Sequence, residues 1–148
     1  MTAIAVLALA WMARASPATV AAPSPAPAGS VDLRGSAACL DRAGRRQACG
    51  TAPRRFALED REGHVHPFLA TDELARIFED PRVRERDLLV RAREEAANAL
   101  AIIKVFSVKD GKPYDLRYYC DVCHITAYVP GPCPCCGREM ELLEEPLP

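Results

Sequence analysis

Four of the seven cysteines in this 148-residue chain are spaced in a way that leaves its C-terminus few options. Residues 120–137 read C-D-V-C-H-I-T-A-Y-V-P-G-P-C-P-C-C-G: a Cys-x-x-Cys pair, nine intervening residues, then a Cys-Pro-x-Cys-Gly pair. Cysteines three apart around a tight turn aim both sulfurs at one point. Two such turns supply four thiolates, the tetrahedral complement of a single cation. Cys120, Cys123, Cys133 and Cys136 are the expected ligands. Cys135 occupies the variable position of the second turn, and a Cys-x-Cys pairing through it requires a different turn. Gly137 follows the second pair, where the lack of a Cβ permits a close backbone approach. His124 holds the comparable place after the first pair.

This stretch resembles a zinc ribbon, in which two knuckles at the tips of short hairpins share one ion. The resemblance implies a strand over residues 114–119 entering the first knuckle and another over 125–129 leaving it. Pro130-Gly131-Pro132 then reverses the chain, and residues 139–143 form the exit strand. It also implies Zn²⁺ as a structural cofactor, because four protein ligands leave no open coordination position. His124 departs from the commonest ribbon pattern. Four thiolates around Zn²⁺ leave a doubly negative centre, which Arg117 or Arg138 can moderate.

Three other chemistries compete for the same cysteines. C-D-V-C-H is formally a C-x-x-C-H haem-attachment pattern, with His124 as axial ligand, and would make the protein an electron carrier. That reading leaves Cys133, Cys135 and Cys136 unexplained, and Met140 is too close to the cluster to make a convincing distal ligand. Disulfides are the second competitor, since an exported chain meets an oxidant. Dithiol redox chemistry is the third, but the βαβ setting expected for it is absent.

The N-terminus points to export. Residues 1–15, M-T-A-I-A-V-L-A-L-A-W-M-A-R-A, carry an apolar run ending in a small-x-small pattern before Ser16, as a signal peptide or short hydrophobic anchor does. The run lacks a basic start and falls short of the ~20 residues that span a bilayer. Residues 16–30 hold four of the 13 prolines and no periodic apolar face, which reads as an extended linker. The expected location is therefore periplasmic, extracellular or membrane-tethered, with any membrane contact made only by the N-terminal segment; a cytoplasmic site follows if that segment is not a signal.

Residues 31–113 carry the folded β-domain. Residues 31–40 alternate apolar and polar at their start, as a half-buried strand does. Residues 55–59 and 64–69 flank a D-R-E-G turn and read as a hairpin, with Gly63 free to take a positive φ. Thr71 is a suitable N-cap for a short helix with Leu74, Ile77 and Phe78 on one face, halted by Pro81. Residues 87–92 form a further strand, 94–99 a link or helical extension, and 101–108 (A-I-I-K-V-F-S-V) the strongest strand of the chain. This order of three strands, a helix and two strands is similar to the OB-fold, a small five-stranded barrel. The expected fold class is mainly β: an OB-like barrel with one short helix over 31–113, followed by a zinc ribbon over 114–148. An SH3-like barrel and a small open α+β sheet are the competing architectures.

The remaining candidates are weaker. Cys39 and Cys49 either close a disulfide after the first strand or remain two ordinary thiols. His64 and His66 share one face of a strand, a metal-compatible geometry, but no third ligand is evident from the sequence. Arg42, Arg45, Arg46, Arg54 and Arg55 make one loop basic, either a solvated surface or a seat for a small anionic ligand. With 19 basic and 20 acidic side chains, net charge −1, the chain has no broad basic face, which argues against nucleic acid. Single-stranded nucleic-acid binding survives as an alternative through the OB and ribbon resemblances, with Tyr118, Tyr119 and Tyr128 as stacking candidates. No phosphate loop, nucleophile elbow or H-E-x-x-H motif occurs and no carboxylate pair is marked, so the expectation is a non-catalytic binding or assembly protein. Its partner is a protein or a small anion.

Overall fold

The structure is a computed structural model that describes residues 26–50, 55–95 and 98–147. The leader expected over 1–15 and most of the 16–30 linker lie outside the described residues. No helix among the described residues is long and apolar enough to cross a membrane.

One antiparallel sheet organises the chain. Strand β1 (Ser30–Leu40) is long enough to serve three neighbours, β5 (Leu88–Glu94) and β2 (Arg46–Gln47) in succession along one edge and β3 (Arg55–Asp60) along the other. β3 pairs in turn with β4 (Val65–Pro67), and β5 with β6 (Leu100–Lys109). β6 turns through Asp110-Gly111 into β7 (Lys112–Cys120), which receives β8 (Ile125–Ala127) and β9 (Glu141–Pro146). The pairing path runs β4-β3-β1-β5-β6-β7-β8 and is not closed into a barrel. Between β4 and β6 there is one parallel bridge, Phe68↔Leu100, supported by the Leu69 amide donating to the Leu100 carbonyl at 2.9 Å.

β1 changes partners at Gly35. Residues before it pair with β5, residues after it with β3, and Gly35 itself faces both Leu88 and Asp60. A Cβ placed there would stand 1.9 Å from the Glu59 carbonyl oxygen, so only glycine lets the two backbones approach this closely. Ahead of that point Asp32 and Arg91 sit opposite each other, and their side chains form a two-pronged ion pair at 2.8 and 2.9 Å. The planar guanidinium fits such a carboxylate contact and covers one face of the β1–β5 ladder.

The strand patterning buries a large apolar cluster and a smaller one of Ala38, Leu40 and Ala57. Leu58, Phe68, Phe78, Val83, Leu88, Val90, Leu116 and Tyr118 are essentially inaccessible. The rings of Phe68 and Phe78 stack with centroids 5.1 Å apart. Phe78 belongs to the helical segment, which differs from expectation in two ways. It is a 3-10 helix (Glu73–Glu79) capped by Asp72 and not by Thr71. The Asp72 carboxylate accepts from the Leu74 amide at 3.0 Å and from the Ile102 amide at 2.6 Å, so the tertiary bond to β6 selects the cap. Pro81, expected to end the helix, opens a second one, α1 (Pro81–Arg84), at its first position. The missing amide costs nothing there. Asp80 caps α1 through the Arg82 amide and also receives the Tyr118 hydroxyl at 3.0 Å, which ties the helices to β7.

β5 runs on to Glu94 and β6 begins at Leu100, with residues 96–97 of the intervening link outside the described residues. The two are joined by the Glu95 amide donating to the Ala99 carbonyl at 2.9 Å.

Replacing Gly35 with alanine is predicted to destabilise the protein by about 1–3 kcal/mol, the usual range for forcing atoms into a packed site. Urea unfolding of the G35A variant measures it; an unchanged midpoint refutes the close approach.

Candidate metal centre

The cysteine cluster is built by β7 and the two turns beyond it. β7 is held on both edges: Tyr118 faces Ala127 of β8 on one side and Leu142 of β9 on the other. Cys120 is its last residue and pairs with Ile125, closing the first hairpin. Within that turn the His124 amide donates to the Cys120 carbonyl at 2.8 Å. The second turn repeats the arrangement, with the Gly137 amide donating to the Cys133 carbonyl at 2.8 Å and the Cys133 amide to the Arg138 carbonyl at 2.7 Å. The bridge Pro132↔Glu139 closes it from behind.

His124 and Gly137 are equivalent in conformation as well as in position, with φ of 56° and 73°. Glycine takes this left-handed region freely, whereas a residue with a Cβ is disfavoured by about 1–2 kcal/mol. The Tyr119 hydroxyl lies 2.6 Å from the His124 Nδ1, a hydrogen bond that offsets part of this cost.

The candidate ligands Cys120, Cys123, Cys133 and Cys136 are brought together, with all four sulfurs within 4.8 Å of one another. The Cys120 and Cys136 sulfurs are 3.6 Å apart. Four thiolates bound at about 2.3 Å around a tetrahedral ion stand about 3.8 Å from each other, so the donor set fits a metal ion. Cys120 and Cys133 are buried against Leu116, Tyr118 and Met140, which makes the cluster an extension of the main core. Cys136 is exposed, as is Cys135.

Backbone dipoles prepare one sulfur for a cation. The Cys136 and Cys135 amides donate to the Cys133 sulfur and hold its thiol down to about 7. The sulfurs of Cys135 and Cys136 crowd Cys123 and push its thiol well up instead. Without a cation the cluster therefore keeps protons on some of its sulfurs, because neighbouring thiolates repel each other. Arg117, expected to moderate the charge of the centre, is committed to an ion pair with Glu145 on β9. Arg138 is exposed beside the second knuckle.

Cys39 and Cys49 form a disulfide, with Cα atoms 5.3 Å apart. The β1–β2 register, which sets Cys39 opposite Gln47, delivers Cys49 two residues later. Closing a loop this short stabilises by about 2–3 kcal/mol in the chain-entropy picture. Two arginines of the basic loop beside it are paired: Arg45 meets Asp41 at 2.9 Å and Arg46 meets Glu59 at 2.6 Å. Arg54 lies outside the described residues. Among the aromatic candidates, Tyr118 is buried and Tyr119 is bonded to His124, which leaves Tyr128 exposed beneath the Lys104 ammonium, 3.8 Å from its ring centre.

His64 and His66 do have a carboxylate beside them. Asp60 Oδ2 is 2.8 Å from His66 Nε2 and 3.3 Å from His64 Nδ1. Asp60 precedes the turn, and only the folded hairpin swings it across to the histidines, so nothing short of the β3–β4 register reveals it. The His66 ring first, then the His64 amide and ring, hold the Asp60 carboxyl near 2, below its ordinary 3.8.

Two predictions follow from these contacts. Serine at both 39 and 49 is expected to lower stability by about 2–3 kcal/mol, read by denaturant unfolding, while leaving the sulfur cluster able to bind metal. A carboxyl with a depressed folded pKa adds stability that is complete above its unfolded value and is lost as pH falls through the folded one. For Asp60 that window lies between 3.8 and about 2. H66A is expected to raise the Asp60 pKa, followed by its carboxyl carbon resonance, and to flatten the acid limb of the stability curve.

No family model, no curated protein sequence and no solved structure matches this chain.

Proposed function

We propose that the chain is a non-catalytic, exported or membrane-tethered binding or assembly protein whose C-terminal ribbon is stabilised by one structural Zn²⁺. The convergence of four cysteine sulfurs carries this reading, because a site with four protein ligands offers no position to a substrate. Zinc fits the all-sulfur donor set and needs no redox partner. An OB-like core is supported by the pairing of β1 with both β3 and β5 and by the Phe68↔Leu100 bridge between the β4 and β6 segments. The Cys39–Cys49 bond supports an oxidising compartment, since cytosolic thiols are kept reduced. The partner in this reading is a protein or a small anion.

The haem alternative is disfavoured by the burial of Cys120 and its contact with Cys136, which turn the first cysteine pair toward other sulfurs. Single-strand nucleic-acid binding draws on the same strand order and on the Lys104–Tyr128 pair. Salt-sensitive binding of an oligonucleotide supports it, and its absence at low salt removes it.

Metal analysis and intact mass on protein taken from its native compartment test the proposal together. One zinc per chain, a Zn–S₄ absorption edge and loss of the leader mass are expected. A Soret band, or a chain without metal, overturns it. C133S is expected to abolish stoichiometric zinc and loosen residues 114–147, seen as resonance broadening. H124G is expected to retain the full zinc complement, an outcome incompatible with His124 as an axial ligand.

A further inference from the structure

The β3–β4 hairpin gathers a second set of donors, remote in sequence from the cysteines and different in chemistry. The chain from Asp60 to His66 reads D-R-E-G-H-V-H, and Gly63 with φ of 85° reverses it. The Glu62 and His64 amides both donate to Asp60 Oδ1, at 3.0 and 2.9 Å. That fixes the carboxylate so that Oδ2 is the oxygen presented to the two imidazoles.

His66 is held in place because β4 pairs it with Leu58, and its side chain is 30% exposed. His64 sits in the turn with a side chain 73% exposed, its Nδ1 3.3 Å from Asp60 Oδ2. Oxygen or nitrogen atoms of Asp60, Glu62 and His64 all lie within 4.8 Å of one another, and His66 Nε2 approaches the same Asp60 oxygen from the strand side.

Adjacent donors on a first-row ion with bonds of about 2.0–2.2 Å stand about 3 Å apart. The contacts of 2.8 and 3.3 Å from Asp60 Oδ2 to the two rings are already of that size. Each is bridged by a proton, and a cation takes the same place by displacing it. Asp60 and Glu62 together balance a divalent charge. Arg61, the basic residue of the turn, reaches instead toward Asp87 at 3.7 Å. Two imidazoles with carboxylate oxygens suit borderline ions such as Zn²⁺, Ni²⁺ or Cu²⁺; Ca²⁺ and Mg²⁺ take all-oxygen sets.

We propose that Asp60, His64 and His66, with Glu62 on the open side, form a surface site for a divalent first-row transition metal, independent of the cysteine cluster. The chain has three histidines, and the third, His124, lies in the first knuckle, so imidazole signals assign any binding to one end or the other.

The test is calorimetric and NMR titration of Zn²⁺ into full-length protein already equilibrated with one equivalent of zinc. Saturable uptake of a further equivalent in the micromolar range is expected, with ring resonances of His64 and His66 moving and those of His124 unmoved. H64A, at an exposed position that leaves the fold intact, and H66A are each expected to weaken this uptake by roughly tenfold or more. Absence of saturable uptake, movement of His124 alone, or wild-type uptake in H64A overturns the proposal. Failure of the cysteine reading would show instead as loss of the first equivalent, with the histidine shifts retained.

Discussion

Pairing along both edges of β7 is the constraint on which the C-terminal third depends. A strand that leaves the sheet with one free edge would let the following turns swing. Here β9 returns along most of the outer edge, from Tyr114↔Pro146 to Tyr119↔Glu141, while β6 and β8 share the other. The last residue of that strand is a cysteine, so its sulfur inherits the rigidity of the sheet. The second knuckle then has to meet a fixed point, and Met140 and Cys133 pack into the core to bring it there. The two ends of the core are also tied through Tyr118, whose hydroxyl donates a hydrogen bond to the carboxylate that caps α1. Burial and the neighbouring Asp80 charge push the Tyr118 hydroxyl well up, so it stays a donor at any physiological pH.

Local features were readable from the sequence and long-range ones were not. The knuckles are set by residues three apart and a following φ-positive position, all within one turn, so spacing alone names the four sulfurs. Likewise Gly63 marks the hairpin, and the β-branched run 101–108 marks β6. The helix cap shows where local reasoning runs out. Thr71 and Asp72 are both good caps, and the choice falls to the Ile102 amide, a residue 30 positions away. Pro81 is ambiguous for a similar reason, because a helix stop and a first helical position look alike until Asp80 is seen capping the latter. The sheet stays open, with the Phe68–Leu100 bridge as an isolated contact between its β4 and β6 segments, and no periodicity encodes that outcome.

Burial shapes what the chemistry can reach. Tyr118, an apparent stacking candidate by composition, spends its ring in the core, and the arginines at 45 and 46 spend their charge on nearby carboxylates. Accessible features among the described residues include the edge of the sheet beside Tyr128, the hairpin tip at Asp60–His66, and the outer wall of the second knuckle. The molecule thus presents small, chemically distinct features in place of one broad face, in keeping with its near-neutral charge.

The same chain holds one closed sulfur–sulfur bond in its first strand and five unpaired thiols at its other end. An oxidant able to join Cys39 to Cys49 would as readily couple thiols that touch one another, two of which stand open to solvent. A cation held by the four clustered sulfurs would withdraw them from such exchange. The two ends of the chain thus make opposite demands on sulfur, a closed bond at Cys39 and Cys49 and free thiols at the far end.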